Sequence, residues 1–271
     1  MTRVAVLQMR SGVGPAQNAA TIVEAVERAA GEGAAMLFTP EMSGLLDRDR
    51  TRAGPKIMHE ANDRVLSAVR DAAAREGLWI ALGSLAIDLG DGKWANRSYL
   101  IDSSGNVATR YDKMHMFDVD LANGESWRES NAYRAGEEIV TAQTPLGRLG
   151  LTICYDLRFP ALFEALGNRQ CDAIAIPAAF TVPTGEAHWH VLQRARAIEA
   201  SAYVIAAAQV GTHEDGRRTY GHSLVADPWG EVLLDMGGEA PGLGFAEIIA
   251  ERIAEVRRQV PSLANRRKMP D

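Results

Sequence analysis

The chain alternates between short unbroken apolar runs and longer stretches in which apolar residues recur at helical spacing. VAVLQM (4–9) predicts a buried strand, and the Ala-rich segment 18–34 places Ile22, Val26 and Ala29 on one helical face. AMLFTPEMSG (35–44) predicts a second strand stopped by Pro40, which leaves Glu41 just past its end. Residues 60–76 predict a helix and LWIALGSLAI (78–87) a further strand. In NRSYLIDSSGNVATRYDK (96–113), Asp102 to Gly105 supplies turn chemistry between two strand-like runs. A hairpin follows, with Lys113 beyond its second arm.

The second half repeats this rhythm. GRLGLTIC (147–154) predicts a strand, 160–169 a helix, CDAIAIPAAF (171–180) a strand, 186–201 a helix and AYVIAAAQV (202–210) a strand. GHSLVADPWGEVLLDM (221–236) reads as strand, turn, strand, with PWG as the break. The shared order of the halves points to an internal pseudo-repeat. Apolar strands without strict alternation suggest sheets covered on one face by helices and packed together through the other. One domain is expected over 1–255. The basic stretch 256–271 (VRRQVPSLANRRKMPD) reads as a tail that either packs at a subunit interface or lies in solvent.

Composition narrows the field of functions. The chain has 271 residues, near the upper size for one core, and 46% of them are apolar. With 29 basic and 35 acidic residues the formal charge is −6, which supplies no general attraction for nucleic acid or an anionic membrane. No apolar run approaches membrane-spanning length, and MTRVAVLQM enters a strand without a signal-peptide core. The only cysteines are Cys154 and Cys171, and no zinc-like CxxC pair is present, so a reducing, cytoplasmic setting fits.

The candidate chemistry gathers at strand ends. In GLTICYDLRFP (150–160) an apolar run ends at Cys154 and gives way to Tyr155, Asp156 and Arg158. A cysteine there is either a buried thiol or a nucleophile presented at the mouth of a sheet, with following backbone N–H groups facing a reacting oxygen. A free thiol has a pKa of about 8.5, so a nucleophile needs a base or a nearby cation. Residue order does not select a histidine for that task among His115, His188, His190, His213 and His222. Alternate histidines in HWH (188–190) do not share a helical face, and no third metal ligand is evident. Glu41 is a carboxylate base whose pKa partial burial would raise, and Lys113 is a cation able to stabilise thiolate and oxyanion. At two strand ends the same pair equally makes an ordinary ion pair. Cys171 reads as a small buried hydrophobe.

Taken together, VAVLQM, LFTPEMSG, YDKMHMFDVD, LTICYDLRFP, PAAFTVPTGEAHWHVLQRARAIEA, VIAAAQVGTH and YGHSLVADPWG resemble the nitrilase superfamily of carbon–nitrogen hydrolases, and its Nit branch in particular. The resemblance implies an α+β fold, a four-layer α-β-β-α sandwich with an internal pseudo-twofold, assembled as a homodimer or larger homo-oligomer. It implies Cys154 as nucleophile, Glu41 as general base, Lys113 as oxyanion and thiolate stabiliser, and the Tyr155 backbone N–H as oxyanion donor. Glu129 in SWRESN matches the family's second glutamate better than Glu125 or Glu137. No metal or organic cofactor is implied. CYD replaces the CWE of true nitrilases, which implies cleavage of amides rather than nitriles. Within the branch, the segments look most like amidases of deaminated glutathione, with omega-amidases acting on 2-oxoglutaramate as near relatives. An acidic 2-oxo substrate calls for a basic contact, for which Arg194 and Arg196 are candidates; two apart on a helix, at most one enters the pocket. Arg158 is expected to brace the strand-to-helix turn. Ala161 stands where many relatives carry an acid, a difference in local packing.

Overall fold

The computed structural model of the protein describes residues 1–120, 124 and 126–267. In chain order the first half contains β1 (Thr2–Gln8), α1 (Pro15–Gly31), β2 (Met36–Phe38), the single turn α2 (Arg50–Ala53) and α3 (Arg64–Glu76). It continues with β3 (Trp79–Asp88), β4 (Trp94–Ile101) and β5 (Val107–Asp112). A small hairpin, β6 (Asp118–Asp120) and β7 (Ser126–Arg128), leads to the second half. There follow β8 (Thr141–Thr144), β9 (Gly147–Leu151), α4 (Pro160–Asn168), β10 (Ala173–Ala175) and α5 (Val182–Ala200). The chain then forms β11 (Tyr203–Ala206), the hairpin β12 (Val210–Thr212) and β13 (Arg218–Tyr220), β14 (Leu224–Ala226), β15 (Val232–Asp235), β16 (Gly242–Ile248) and α6 (Ala250–Gln259).

Local chemistry sets the helix ends. Pro15 and Pro160 open α1 and α4, where a missing N–H costs nothing. Asp63 caps α3 by accepting from Leu66 N at 2.8 Å, and Gly77 closes it in the left-handed conformation.

Two six-stranded sheets repeat one plan, in the orders β16-β1-β2-β3-β4-β5 and β15-β14-β11-β10-β9-β8. β1, β2 and β3 run parallel and β4 and β5 continue antiparallel. β9, β10 and β11 run parallel and β14 and β15 continue antiparallel. The first parallel strand of each sheet also carries an antiparallel edge partner, β16 on β1 and β8 on β9. This is the pseudo-repeat expected from the order of apolar runs.

Side-chain alternation builds the layers. Val4 and Val6 join the core that holds Leu149, Leu151 and Ala173, whereas Ala5 and Leu7 join Ile22, Val26 and Val69 of α1 and α3. Phe163, Leu166 and Ala197 of α4 and α5 pack with Ile174 and Val204 of the second sheet. The result is a mixed fold of two sheets flanked by helices, the four-layer sandwich.

α6 runs across position 255/256 and buries Ile253 and Val256 together, so the domain reaches past that boundary. Beyond it Arg257 donates to Cys171 O at 2.6 Å and Arg266 to Glu199 O at 2.9 Å, folding the described part of the tail onto its own chain.

Candidate active site

Strand ends deliver the reactive groups to one cavity of about 970 Å³, open mouth included, whose lining contains Glu41, Lys113, Glu129, Cys154 and Tyr155. Glu41 follows β2 on a segment pressed against a break in β3. Gly83 donates to Thr39 Oγ1 at 2.9 Å, and Ser84 Oγ accepts from Met42 N at 2.9 Å. Met42 has a φ of 54°, and Gln209 Nε2 holds the Glu41 carbonyl at 3.0 Å. Lys113 leaves β5 and is 2% exposed. Cys154 begins a 3-10 turn (Cys154–Arg158) with a φ of 46°, and its N–H donates to Pro177 O at 2.8 Å. Buried Asp156 fixes that elbow by accepting from Ile153 N at 2.8 Å, Tyr111 Oη at 2.6 Å and His115 N at 3.0 Å.

Lys113 Nζ donates to Glu41 Oε1 at 3.0 Å and to Glu129 Oε2 at 2.8 Å. Asn96 Nδ2 repeats the bridge, donating to Glu41 Oε1 and to Glu129 Oε1, each at 3.0 Å. Ala179 N donates to Glu41 Oε2 at 2.9 Å, and Phe117 N to Glu129 Oε2 at 2.7 Å. The structure thus brings Glu41, Lys113, Cys154 and Glu129 together; Glu137 does not line the cavity, and Glu125 lies outside the described residues. Sequence reasoning missed Asn96, the residue that joins the carboxylates. Its one signal is a polar amide at a fully buried position of β4.

Burial pushes the Glu41 carboxyl up, but the Lys113 charge and hydrogen bonds from Cys154, Lys113 and Asn96 outweigh it and hold the group below its ordinary value. This corrects the expectation that burial would raise it. Burial would also discharge Lys113, yet Glu129 and Glu41 keep it protonated well above the ordinary lysine range. Burial and then the Glu41 charge push the Cys154 thiol far up, against the pull of Lys113. The resting centre is therefore thiol, carboxylate and ammonium. Tyr155 lies in the first turn of the elbow, and among the described residues no backbone carbonyl outside that turn accepts its N–H.

Arg194 and Arg196, the expected basic contacts, do not line the cavity. Arg196 is buried away from the cavity, bonded to Leu157 O at 2.8 Å and Glu199 at 3.0 Å, and Arg194 donates to Gly230 O at 2.7 Å. Two apart on α5, they point to different neighbours in their own fold, Arg196 to the 3-10 elbow and Arg194 to the β14–β15 turn. Arg48, Arg50, Arg128 and Arg217 line the cavity instead. Arg158 does not pair with Asp156; it lies across the rings of Phe180 (5.1 Å) and Tyr155 (5.9 Å) and reaches His188 Nδ1 at 3.2 Å. HWH is split as its spacing required. His190 joins His222 and Asp235, whose carboxylate bonds both rings at 2.9 Å and ties α5 to β15. Cys171 is buried with its thiol pushed up to about 12, first by burial.

Fold and site define a class: a four-layer α-β-β-α hydrolase fold with a cysteine, glutamate and lysine centre. The carbon-nitrogen hydrolase family model matches residues 3–258. The chain is 41% identical to deaminated glutathione amidase of Yersinia enterocolitica over 97% of this chain and 92% of that one. Among solved structures, the C. elegans NitFhit protein superposes with a TM-score of 0.90 at 35% identity, covering 98% of this chain and 65% of that longer one. A mutant of the amidase from Nesterenkonia sp. AN1, with acrylamide added at its active-site cysteine, gives 0.81 at 25% identity over 96% of this chain and 98% of that one. The chain belongs to the carbon–nitrogen hydrolase family. It is a hydrolase of amide bonds that works through a cysteine.

Proposed function

We propose that the protein hydrolyses small 2-oxo acid amides, with deaminated glutathione as its leading substrate and 2-oxoglutaramate as the second. The observation that carries this reading is the convergence of the Cys154 thiol with Glu41, Lys113 and Glu129 from separate segments of the chain. The Yersinia relative, named for deaminated glutathione, supports the choice of substrate.

The protonation states dictate the mechanism. Because the resting thiol is neutral and Glu41 ionised, no thiolate waits for substrate. Proton transfer from Sγ to Glu41 is coupled to attack of sulfur on the amide carbon. The carbonyl electron pair moves onto oxygen, which Lys113 Nζ and the Tyr155 N–H stabilise. Glu41 then protonates the nitrogen, the C–N bond breaks, and an amine or ammonia leaves. In the second half Glu41 takes a proton from water, the hydroxyl attacks the thioester, and the C–S bond breaks with the proton returned to Cys154. Glu129 and Asn96 position Lys113 and Glu41 throughout.

Two further readings belong here. Exposed Ile198 of α5 lies beside the β14–β15 turn, which carries exposed Trp229, and exposed Val191 stands two helical turns earlier on α5; these apolar side chains support self-association as a homodimer. A reducing, cytoplasmic setting suits two unpaired cysteines. The deciding experiment for substrate compares kcat/KM for deaminated glutathione, 2-oxoglutaramate and simple aliphatic amides. The highest value is expected for deaminated glutathione, and a clear preference for 2-oxoglutaramate would replace it.

A further inference from the structure

The cavity wall beyond the reactive groups carries more positive charge than its own carboxylates neutralise. Asp47 is engaged by Arg52 at 2.6 Å, and Arg128 by Asp120 at 2.8 Å. Among the described residues no carboxylate comes within ion-pairing distance of Arg48 or Arg50. Arg217 is held out of solvent, its side chain 16% exposed and its guanidinium 4.6 Å above the Trp127 ring. Its Nε is buried without a hydrogen-bond partner. Its Nη2 ion-pairs at 3.5 Å with Asp215, a carboxylate that also accepts from Arg48 N and Arg217 N at 2.9 Å each.

That use of Asp215 has a geometric consequence. It fixes two separate segments to each other, and a Cβ on Gly216 would stand only 3.6 Å from Arg48 Nη2. Two guanidiniums therefore approach one wall of the cavity on a tied turn, with the Tyr133 ring on the same lining. A desolvated donor with no partner is costly to bury, and a planar guanidinium matches a carboxylate fork.

We propose that Arg217, flanked by Arg48, is an anion subsite that binds a carboxylate carried by the substrate away from the scissile amide. This deepens the 2-oxo acid amide reading and rests on it for the choice of substrates. The carboxylate sits either on the acyl part or on the departing amine, and the chemistry that recognises it is the same.

The test measures kcat and KM of wild type, Arg217→Met and Arg217→Lys on deaminated glutathione, 2-oxoglutaramate and a neutral aliphatic amide. Arg217→Met is expected to lower kcat/KM for deaminated glutathione about 30-fold, mainly through KM, and to leave the neutral amide within about threefold. Arg217→Lys is expected to recover part of the loss. A loss shared with 2-oxoglutaramate places the carboxylate on the acyl part; a loss confined to deaminated glutathione places it on the amine. An equal loss on the neutral amide, or no loss on deaminated glutathione, overturns the subsite. If wild type turns over neither anionic amide, the substrate reading fails by itself. Inhibition of neutral-amide turnover by glutarate then decides the subsite: a weakened inhibition constant in Arg217→Met supports it, and an unchanged one overturns it.

Discussion

Asn96 and Lys113 hold Glu41 and Glu129 as one unit, so each carboxylate is set partly by the other. Hydrogen bonds to charged groups contribute about 1.5–3 kcal/mol each, enough to fix both side chains in place in a buried site. Glu129→Gln keeps the acceptor for Lys113 and Phe117 but removes a negative charge near Glu41. Turnover is expected to fall roughly 100-fold as the Lys113 ammonium loses one of its two counter-charges. The acid limb of kcat/KM is expected to move to lower pH, because Glu41 then faces Lys113 without competition; a pH profile checks both. In the wild type that limb should already lie below the ordinary glutamate value of 4.5, since the folded pKa is lowered. The stability contributed by ionised Glu41 is present above 4.5 and lost as pH falls through the lowered value. For Lys113 the sign reverses: its contribution is present below 10.5 and lost as pH rises through the raised value. Glu41, Lys113 and Cys154 were legible as strand-end residues, but their pattern alone left a buried thiol and an ordinary ion pair open, and only the family resemblance of the surrounding motifs joined the three. Arg48 and Arg217 were not legible, since they ride on turns with no periodicity, and Arg194 and Arg196 drew attention only through their place in a familiar motif.

The strand β3 is the element that places the base. Its register against β4 shifts between Leu82 and Leu85, and at Gly83 the Glu41 segment lies directly on the backbone. A Cβ there would stand 2.0 Å from Thr39 O and 2.3 Å from Pro40 O. Backbone cannot yield as a side chain does, so Gly83→Ala must push the Glu41 segment away. A stability loss of about 1–3 kcal/mol in urea denaturation is expected, with a fall in kcat even under conditions where the variant is fully folded. The parallel strands were readable as apolar runs, though β10 and β11 are shorter than those runs because their ends continue as buried extended chain. β8 and β16 escaped notice. β8 is a half-exposed edge, and the glycines of GLGFAEI blur the pattern of β16. α6 was hidden by polarity: only Ile253 and Val256 of its ten residues are buried.

At the scale of the whole molecule, the two halves meet so that their strand ends open onto the same cavity. Glu41 and Lys113 come from the first sheet and Cys154 from the second, and the Met9–Gln209 bridge pins the sheets beside them. The order of apolar runs carried the repeat, but not which strand ends would face each other, since that depends on how one sheet is rotated on the other. The proposed dimer adds a test of its own: sedimentation equilibrium is expected to give the mass of two chains, and Val191→Asp with Ile198→Asp to lower it. The central claim is that the Cys154 sulfur is the atom that opens the amide. It is tested most directly by the turnover of purified Cys154→Ala on deaminated glutathione, with near-UV circular dichroism confirming the fold. The expected result is a native spectrum with turnover reduced at least about 10⁴-fold; a native spectrum with turnover within about tenfold of wild type would contradict the account.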